Sequence, residues 1–348
     1  MSDPNSSIPT STLEYYHSLP EPQGRPPRER YWLHGLLLLA TVFTTLVVGA
    51  RMEFNFLHNL PAFGIEDENI PIPFFPIGWV LAQPSRLLLG IPFSATLLLI
   101  LLSHEMGHYL FCRYYDVRAT LPFFIPAPTL IGTLGAVIRI KAPIRSRAAL
   151  FDIGIAGPVA GFVVAVTSLG VAMTLSKPLA PGANGSEMQL GFPAIFYVMH
   201  NLLRSVSPGH AIAALPLSRV YLHPIAIAAW VGMYATALNL LPSSQLDGGH
   251  IVYAVAPRAH RIISWMTVLG LIYLGGRKVH FPGSPPEQAH FNYGWWFWAG
   301  LIIVMNVLTF HQEQAPDYPM LPPSRWVWAI VAIIMLGLTF TIVPFTTP

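Results

Sequence analysis

Long apolar runs, separated by short polar stretches rich in proline and glycine, set the rhythm of this chain. Runs long enough to span a hydrocarbon layer, or nearly so, occupy residues 31–50, 90–114, 149–175, 222–241, 261–276, 293–310 and 326–343, since about 20 apolar residues of helix cover a bilayer core of about 30 Å. Residues 77–89 are too broken by Pro84, Ser85 and Arg86 to add a span. The pattern predicts an all-α polytopic membrane protein with about seven transmembrane helices, six or eight being the neighbouring counts. Between the second and third runs, Pro122, Pro126 and Pro128 forbid a continuous helix, whereas 136–141 alternates like a strand. A re-entrant loop containing short β-strands is expected there. Irregular backbone at membrane depth persists only where protein or a wet cavity covers it, so this loop should line a cavity.

Composition agrees with that class and narrows little else. The chain of 348 residues is 53% hydrophobic and 10% charged, with a mean hydropathy of +0.52, as in polytopic membrane proteins. A single cysteine, Cys112, excludes an intramolecular disulfide framework, and a net charge of +3, scattered along the chain, argues against nucleic acid as a partner. The lipid bilayer is the expected environment. Residues 1–30, rich in Ser and Pro with Asp3, Glu14 and Glu21, read as a disordered polar tail that is neither a signal peptide nor a typical transit peptide. With that tail in the cytoplasm, twelve of the 19 Lys and Arg fall on the inner side and seven on the outer, which favours that orientation. The first outer loop adds Glu53, Glu66, Asp67 and Glu68, although acids weigh little in this rule.

Against this apolar background stands His104-Glu105-Met106-Gly107-His108, directly after a leucine-rich run. Residues four apart share one helix face about 6 Å apart along the axis, so His104 and His108 can aim at one zinc ion. Glu105 can then reach the metal's water as a base without being a ligand. On a soluble helix the same pentapeptide reads equally well as a polar face. In lipid, a single charge at a helix centre costs roughly 2.5–3.5 kcal/mol, and a structural zinc site returns on the order of 10 kcal/mol. His108 lies five residues before Arg113, in the cytoplasmic half of its span.

A catalytic zinc needs a third protein ligand and an open position. Cys112 continues the i, i+4 series but lies eight residues, about 12 Å, from His104, too far for both to hold one ion; it reads as a small buried helix residue. Asp247, in Asn239-Leu240-Leu241-Pro242-Ser243-Ser244-Gln245-Leu246-Asp247-Gly248-Gly249-His250, is the better candidate. Its two glycines permit a sharp turn beside a metal. Capping of a helix that begins at His250 explains the aspartate equally well from this stretch alone, and the missing third ligand tips the reading toward ligation.

These segments, together with Gly132-Thr133-Leu134-Gly135 and Ala156-Gly157-Pro158-Val159-Ala160-Gly161, resemble the site-2 protease family of intramembrane zinc metalloproteases over roughly residues 97–257. The Gly-Thr-Leu-Gly segment, followed by Ile138-Arg139-Ile140-Lys141 and Phe151-Asp152-Ile153, looks most like the branch of chloroplast EGY-type proteins and their bacterial relatives. No PDZ-like insert is visible, and 176–221 reads as loop plus an interfacial helix. The resemblance implies that His104, His108 and Asp247 hold one Zn2+, that Glu105 activates the water, and that Asn239 contacts the substrate or the reacting carbonyl. Asparagine in a span otherwise ties helices together.

The chain then divides into a tail (1–30), a first transmembrane helix with an outer loop (31–90), a catalytic membrane core (91–257) and C-terminal transmembrane helices (258–348). The implied substrates are proteins with a transmembrane helix. Because a helical peptide bond is shielded and its carbonyl already hydrogen-bonded, the substrate must unwind, and its freed backbone needs partners. A strand in 121–141 can supply them by β-addition, with Gly132 and Gly135 as substrate-binding positions that allow close approach. The alternative is that these glycines only form a turn. His200, His210, His223, His280, His290 and His311 are expected to be ordinary loop and helix-end residues, and His250 a supporting or structural one. The aromatic run Tyr293, Trp295, Trp296 and Trp298 reads as an interface belt. Competing functions are a metal or proton transporter, a catalytically silent scaffold of the same fold, and a peptidase outside the membrane using Glu187, Glu287 or Glu313. The transporter predicts polar residues spread over other spans or repeated halves, and the sequence has neither. A bacterial inner membrane is the expected location.

Overall fold

Helices form where the apolar runs predict them, and their ends depart from those runs where polar side chains find partners. The computed structural model describes residues 30–63, 75–142, 144, 146–179, 189–279, 290–309 and 321–346. The polar tail up to residue 29, Glu66, Asp67, Glu68, Arg145, Glu187, His280, Glu287, His311 and Glu313 lie outside the described residues.

Helix α1, Tyr31–His58, runs past the predicted end at residue 50. Arg51 stacks 5.2 Å from the Trp79 ring centre, and the Asn55 amide donates to the Pro61 carbonyl at 2.8 Å, so the polar last turns stay helical. Helix α2, Ile77–Ala82, ends before Pro84, and a 3-10 stretch at Pro84–Gly90 leads into α3, Ile91–Tyr114. Ser146 caps α4, Arg147–Leu175, by accepting the Ala149 N–H at 3.0 Å. The amphipathic α5, Ala194–Val206, buries Ile195, Phe196, His200 and Leu203 and leaves Tyr197, Val198 and Leu202 exposed. Then follow α6, Pro224–Asn239, the short α7, Asp247–Val255, α8, Pro257–Gly276, α9, Tyr293–Thr309, and α10, Ser324–Thr339. Among the described residues, three helical segments are long and apolar enough to cross a membrane: Tyr31–His58, Pro84–Tyr114 and Arg147–Leu175. Three shorter apolar helices accompany them, Pro224–Asn239, Tyr293–Leu308 and Ser324–Thr339.

The proline-rich loop is a β-hairpin, and its return strand overlaps the expected 136–141 only at residues 136 and 137. Strand β1, Phe123–Pro126, pairs antiparallel with β2, Thr133–Val137. Beyond Val137 only an isolated bridge, Ala119 to Ile140, remains. The turn at Gly132, with a φ of +79°, starts the return strand three residues earlier than 136–141 suggests, a position that only a residue tolerant of left-handed backbone holds without strain. Three further two-stranded pairs join loop ends: Lys177–Pro178 with Val220–Tyr221, Gln189–Leu190 with Phe345–Thr346, and Lys278–Val279 with His290–Phe291. Two- and three-residue strands carry too little periodicity to be read from sequence.

Helix α1 carries the hairpin. His34 Nδ1 donates to the Pro122 carbonyl at 3.1 Å, its ring stacks on Phe123 at 3.8 Å, and the Thr44 hydroxyl donates to the Gly132 carbonyl at 2.6 Å. A charged clasp joins α3, α4 and α10: Arg325 donates twice to the Asp152 carboxylate, at 2.8 and 2.7 Å, and the Tyr115 hydroxyl donates to the same carboxylate. Burial and that carboxylate push the Tyr115 phenol up, which keeps it a donor. Trp295 departs from the expected aromatic belt. It is 1% exposed, packed in a core with Leu238, Leu241 and Ile302, and donates to the Ile342 carbonyl at 2.7 Å.

Candidate metal centre

The imidazoles of His104 and His108 emerge from one face of α3, one turn apart, as their spacing requires. Room for them comes from α4. A Cβ added at Gly157 would sit 2.1 Å from His108 Nε2, and one at Gly161 3.1 Å from His104 Cβ. The two glycines repeat the i, i+4 spacing of the two histidines on an antiparallel partner, so each ring occupies the volume of a missing side chain. Gly107, between the histidines, lets the helices approach; its Cβ would fall 2.4 Å from the Ala156 carbonyl oxygen. His108 Nδ1 donates to the Ile153 carbonyl at 2.7 Å. That bond fixes the tautomer and turns the Nε2 lone pair toward the centre.

Asp247 reaches the same point from the opposite side. Its Oδ2 lies 3.3 Å from His104 Nε2 and 3.3 Å from His108 Nε2, while the two Nε2 atoms are 3.2 Å apart. Three donors about 2.0–2.1 Å from a tetrahedral zinc stand about 3.3–3.4 Å apart, so this triangle matches one face of such a site. Asp247 Oδ2 is buried and in no hydrogen bond, an acceptor aimed at a point where a cation would satisfy it. Two imidazoles and one carboxylate are a donor set suited to zinc, in the number of protein ligands that catalytic sites use. Among the described residues this is the one such group of three or more His, Cys, Asp or Glu side chains.

Asp247 does not cap a helix that begins at His250, the alternative left open by its sequence. Helix α7 begins at Asp247 itself, its N-cap is Leu246, and no side chain makes a cap bond. The carboxylate therefore points at the histidines. The adjoining glycines serve a different purpose from the sharp turn expected of them. Neither has a positive φ; instead a Cβ at Gly248 would lie 2.1 Å from the Leu240 carbonyl oxygen, and one at Gly249 2.1 Å from that of Ser244. They let the preceding turn fold flat against the start of α7.

Glu105 is 7% exposed, has His108 and Asp247 as its electrostatic neighbours, and is hydrogen-bonded by the backbone of Ile138, just beyond β2. Asn239, the last residue of α6, brings its amide nitrogen 3.3 Å from His104 Nε2. The two hairpin glycines part company. Gly132 packs on α1, where a Cβ would meet the Thr44 carbonyl oxygen at 2.7 Å, whereas Gly135, with a φ of +102°, has nothing within 4 Å of that position. His250 lies beside Gly154 of α4, outside the ligand triangle. His200 donates to the Ile212 carbonyl, His210 to the Thr174 carbonyl, and His223 caps α6. Cys112 is fully buried against Val117, Ala149 and Ile153.

The sequence reading did not foresee the service of Gly157 and Gly161 to the histidines, or the Ile153 carbonyl behind His108. The glycine spacing was a usable signal; the carbonyl was not.

The description Peptidase family M50 matches residues 92–274. The chain is 32% identical over 251 residues to the probable zinc metalloprotease EGY1, chloroplastic, of Arabidopsis thaliana, covering 71% of this chain and 44% of that protein. It is 31% identical over 308 residues to the rice (Oryza sativa subsp. japonica) protein of the same description, covering 83% and 52%. The probable zinc metalloprotease EGY2, chloroplastic, of Arabidopsis thaliana is 30% identical over 169 residues, 48% of this chain and 29% of that one. The chain thus spans about half the length of the EGY1 relatives it matches. Since the matched residues run from the helix of His104 and His108 through the turn that delivers Asp247 and on into α8, the chain belongs to peptidase family M50, the site-2 protease family.

Proposed function

We propose that the protein is an intramembrane zinc metalloendopeptidase that hydrolyses peptide bonds within or near transmembrane segments of membrane-protein substrates. The observation that carries this reading is the convergence of His104, His108 and Asp247 from two distant stretches beside Glu105. His104 lies ten residues before the end of α3, about 15 Å along its axis. A ligand set at that depth in an apolar helix suits a substrate that is itself embedded.

His104, His108 and Asp247 would hold the zinc, whose chemistry there would be Lewis-acid polarisation of the scissile carbonyl and a lowered pKa for the attacking water. Glu105 takes the proton of the attacking water and returns it to the departing amine, the work of a general base that becomes a general acid. The Asn239 amide, with donors beside the centre, steadies the oxygen on which charge develops. The outer edge of β2 offers the unwound substrate a strand partner, supported by the two-stranded pairing of β1 with β2. Gly135 leaves open space beside it, and Gly132 fixes the hairpin's turn.

In this reading the protein crosses the membrane about seven times, and it sits in a bacterial inner membrane with its N-terminus and centre toward the cytoplasm. The twelve-to-seven split of Lys and Arg supports the orientation; the named plant relatives are chloroplastic. The test is cleavage of a panel of single-span proteins co-reconstituted in vesicles with wild type or Glu105→Gln. The wild type should cut at least one substrate, and Glu105→Gln should lose about a thousandfold or more of that rate while keeping its zinc. Undiminished turnover by a folded Glu105→Gln protein sinks the mechanism.

A further inference from the structure

The turn at 240–246 has an exacting task. It must deliver Asn239 at one end and Asp247 at the other to the same imidazole, with both groups 3.3 Å from His104 Nε2. Backbone hydrogen bonds shape it, the Ser243 N–H donating to the Leu241 carbonyl at 2.7 Å and the Leu246 N–H to the Ser243 carbonyl at 3.2 Å, but the Ser244 N–H turns to a side chain. Ser244 sits at a φ of +51°, left-handed backbone that costs a non-glycine residue stability. Ser243 and Ser244 are nevertheless almost fully buried, so their polar groups need protein partners.

One hydroxyl partners the Ser243 hydroxyl and the Ser244 N–H, while Ser244 Oγ is in no hydrogen bond. Ser264 of α8, 2% exposed, places its Oγ 2.6 Å from Ser243 Oγ, accepts the Ser244 N–H at 3.0 Å, and donates to Asn306 Oδ1 of α9 at 2.8 Å. A serine hydroxyl has one proton and two lone pairs. With its proton on Asn306, both lone pairs are filled by the Ser243 hydroxyl and the Ser244 amide. The hydroxyl is saturated, and it ties the strained residue of the turn to two helices that contribute no ligand.

We propose that Ser264, backed by Asn306, is a positioning residue that sets the geometry of Asp247 and so the zinc affinity of the centre. This rests on the zinc reading proposed above. Removing the hydroxyl takes away the acceptor of the buried Ser244 N–H and frees the turn to relax its left-handed backbone. Asp247 starts three residues later, on a helix whose first turn abuts that backbone through Gly248 and Gly249. Ligand atoms tolerate displacements of only about 0.5 Å before a site loosens, and losing such a supporting contact typically costs 10–100-fold in metal affinity.

The experiment measures zinc affinity by chelator competition, and the visible spectrum of the cobalt-loaded protein, for full-length wild type, Ser264→Ala, Ser264→Thr and Asn306→Leu in detergent. Ser176→Ala serves as control. It removes an equally buried hydroxyl that accepts the His223 N–H at 3.1 Å, far along the chain from the turn. Ser264→Ala and Asn306→Leu should bind zinc ten- to a hundredfold more weakly with an altered cobalt spectrum, Ser264→Thr should recover most of the affinity, and Ser176→Ala should lower thermal stability alone. If Ser264→Ala does not fold, Asn306→Leu is read by the same criterion. Affinity within twofold of wild type in the folded variants overturns the positioning role and leaves the zinc reading intact. An equal loss in Ser176→Ala overturns it too, by showing general destabilisation. A wild type that binds no zinc overturns both readings.

Discussion

The two sides of the metal centre are built by opposite means. On the histidine side, α4 makes room by omission: Gly157 and Gly161 leave out the side chains that His108 and His104 replace, and Gly107 brings the helix backbones together. On the aspartate side, the turn before Asp247 is held by addition, through the Ser243, Ser264 and Asn306 network. A helix pair can fix ligands by shape alone because its backbone is already rigid and internally hydrogen-bonded. A turn cannot, since its free N–H and C=O groups must be paired before it holds any position.

Substitutions on the histidine side sharpen the contrast. The largest effect is expected from Gly157→Ala. Its new methyl would fall 2.1 Å from His108 Nε2, and the ring can swing aside more cheaply than the helices can part. The protein should insert and fold but lose measurable zinc binding and all cleavage, as read from metal content and turnover; retention of full zinc occupancy would break the shape argument. Gly161→Ala should do much less, because 3.1 Å from His104 Cβ asks for a shift of a few tenths of an ångström. A loss of roughly 1 kcal/mol in stability and a several-fold weaker zinc affinity are expected, by thermal melting and chelator competition. Equal effects at the two glycines would mean that the spacing, and not the contact, had been overread.

What was legible in the sequence follows the same division. His104, Glu105 and His108 stand out because a helix fixes their relation locally, and Asp247 was a candidate because a third ligand was missing; the structure brings its carboxylate to the two imidazoles. The helices were legible wherever apolar length set them. Strand β2 was read only in part, because the strand character of 136–141 says nothing of where a left-handed glycine at 132 makes the chain turn. Trp295 looked like its neighbours in an aromatic run, and only the path of the chain end at Ile342 draws its indole inward. Ser264 and Asn306 were invisible for a deeper reason. Each is an unremarkable polar residue in an apolar helix, and its significance depends on a turn 20 or more residues away. The Asp152, Arg325 and Tyr115 clasp joins residues 173 and 210 positions apart, which no local pattern encodes.

Zinc stoichiometry tests the central claim most directly, because the claim is that two remote stretches close one metal site. Purified wild type and Glu105→Gln should each hold one zinc per chain, and Asp247→Ala should hold none after dialysis against a mild chelator, although it remains folded. One tightly held zinc in Asp247→Ala would show that the ligand set is wrong.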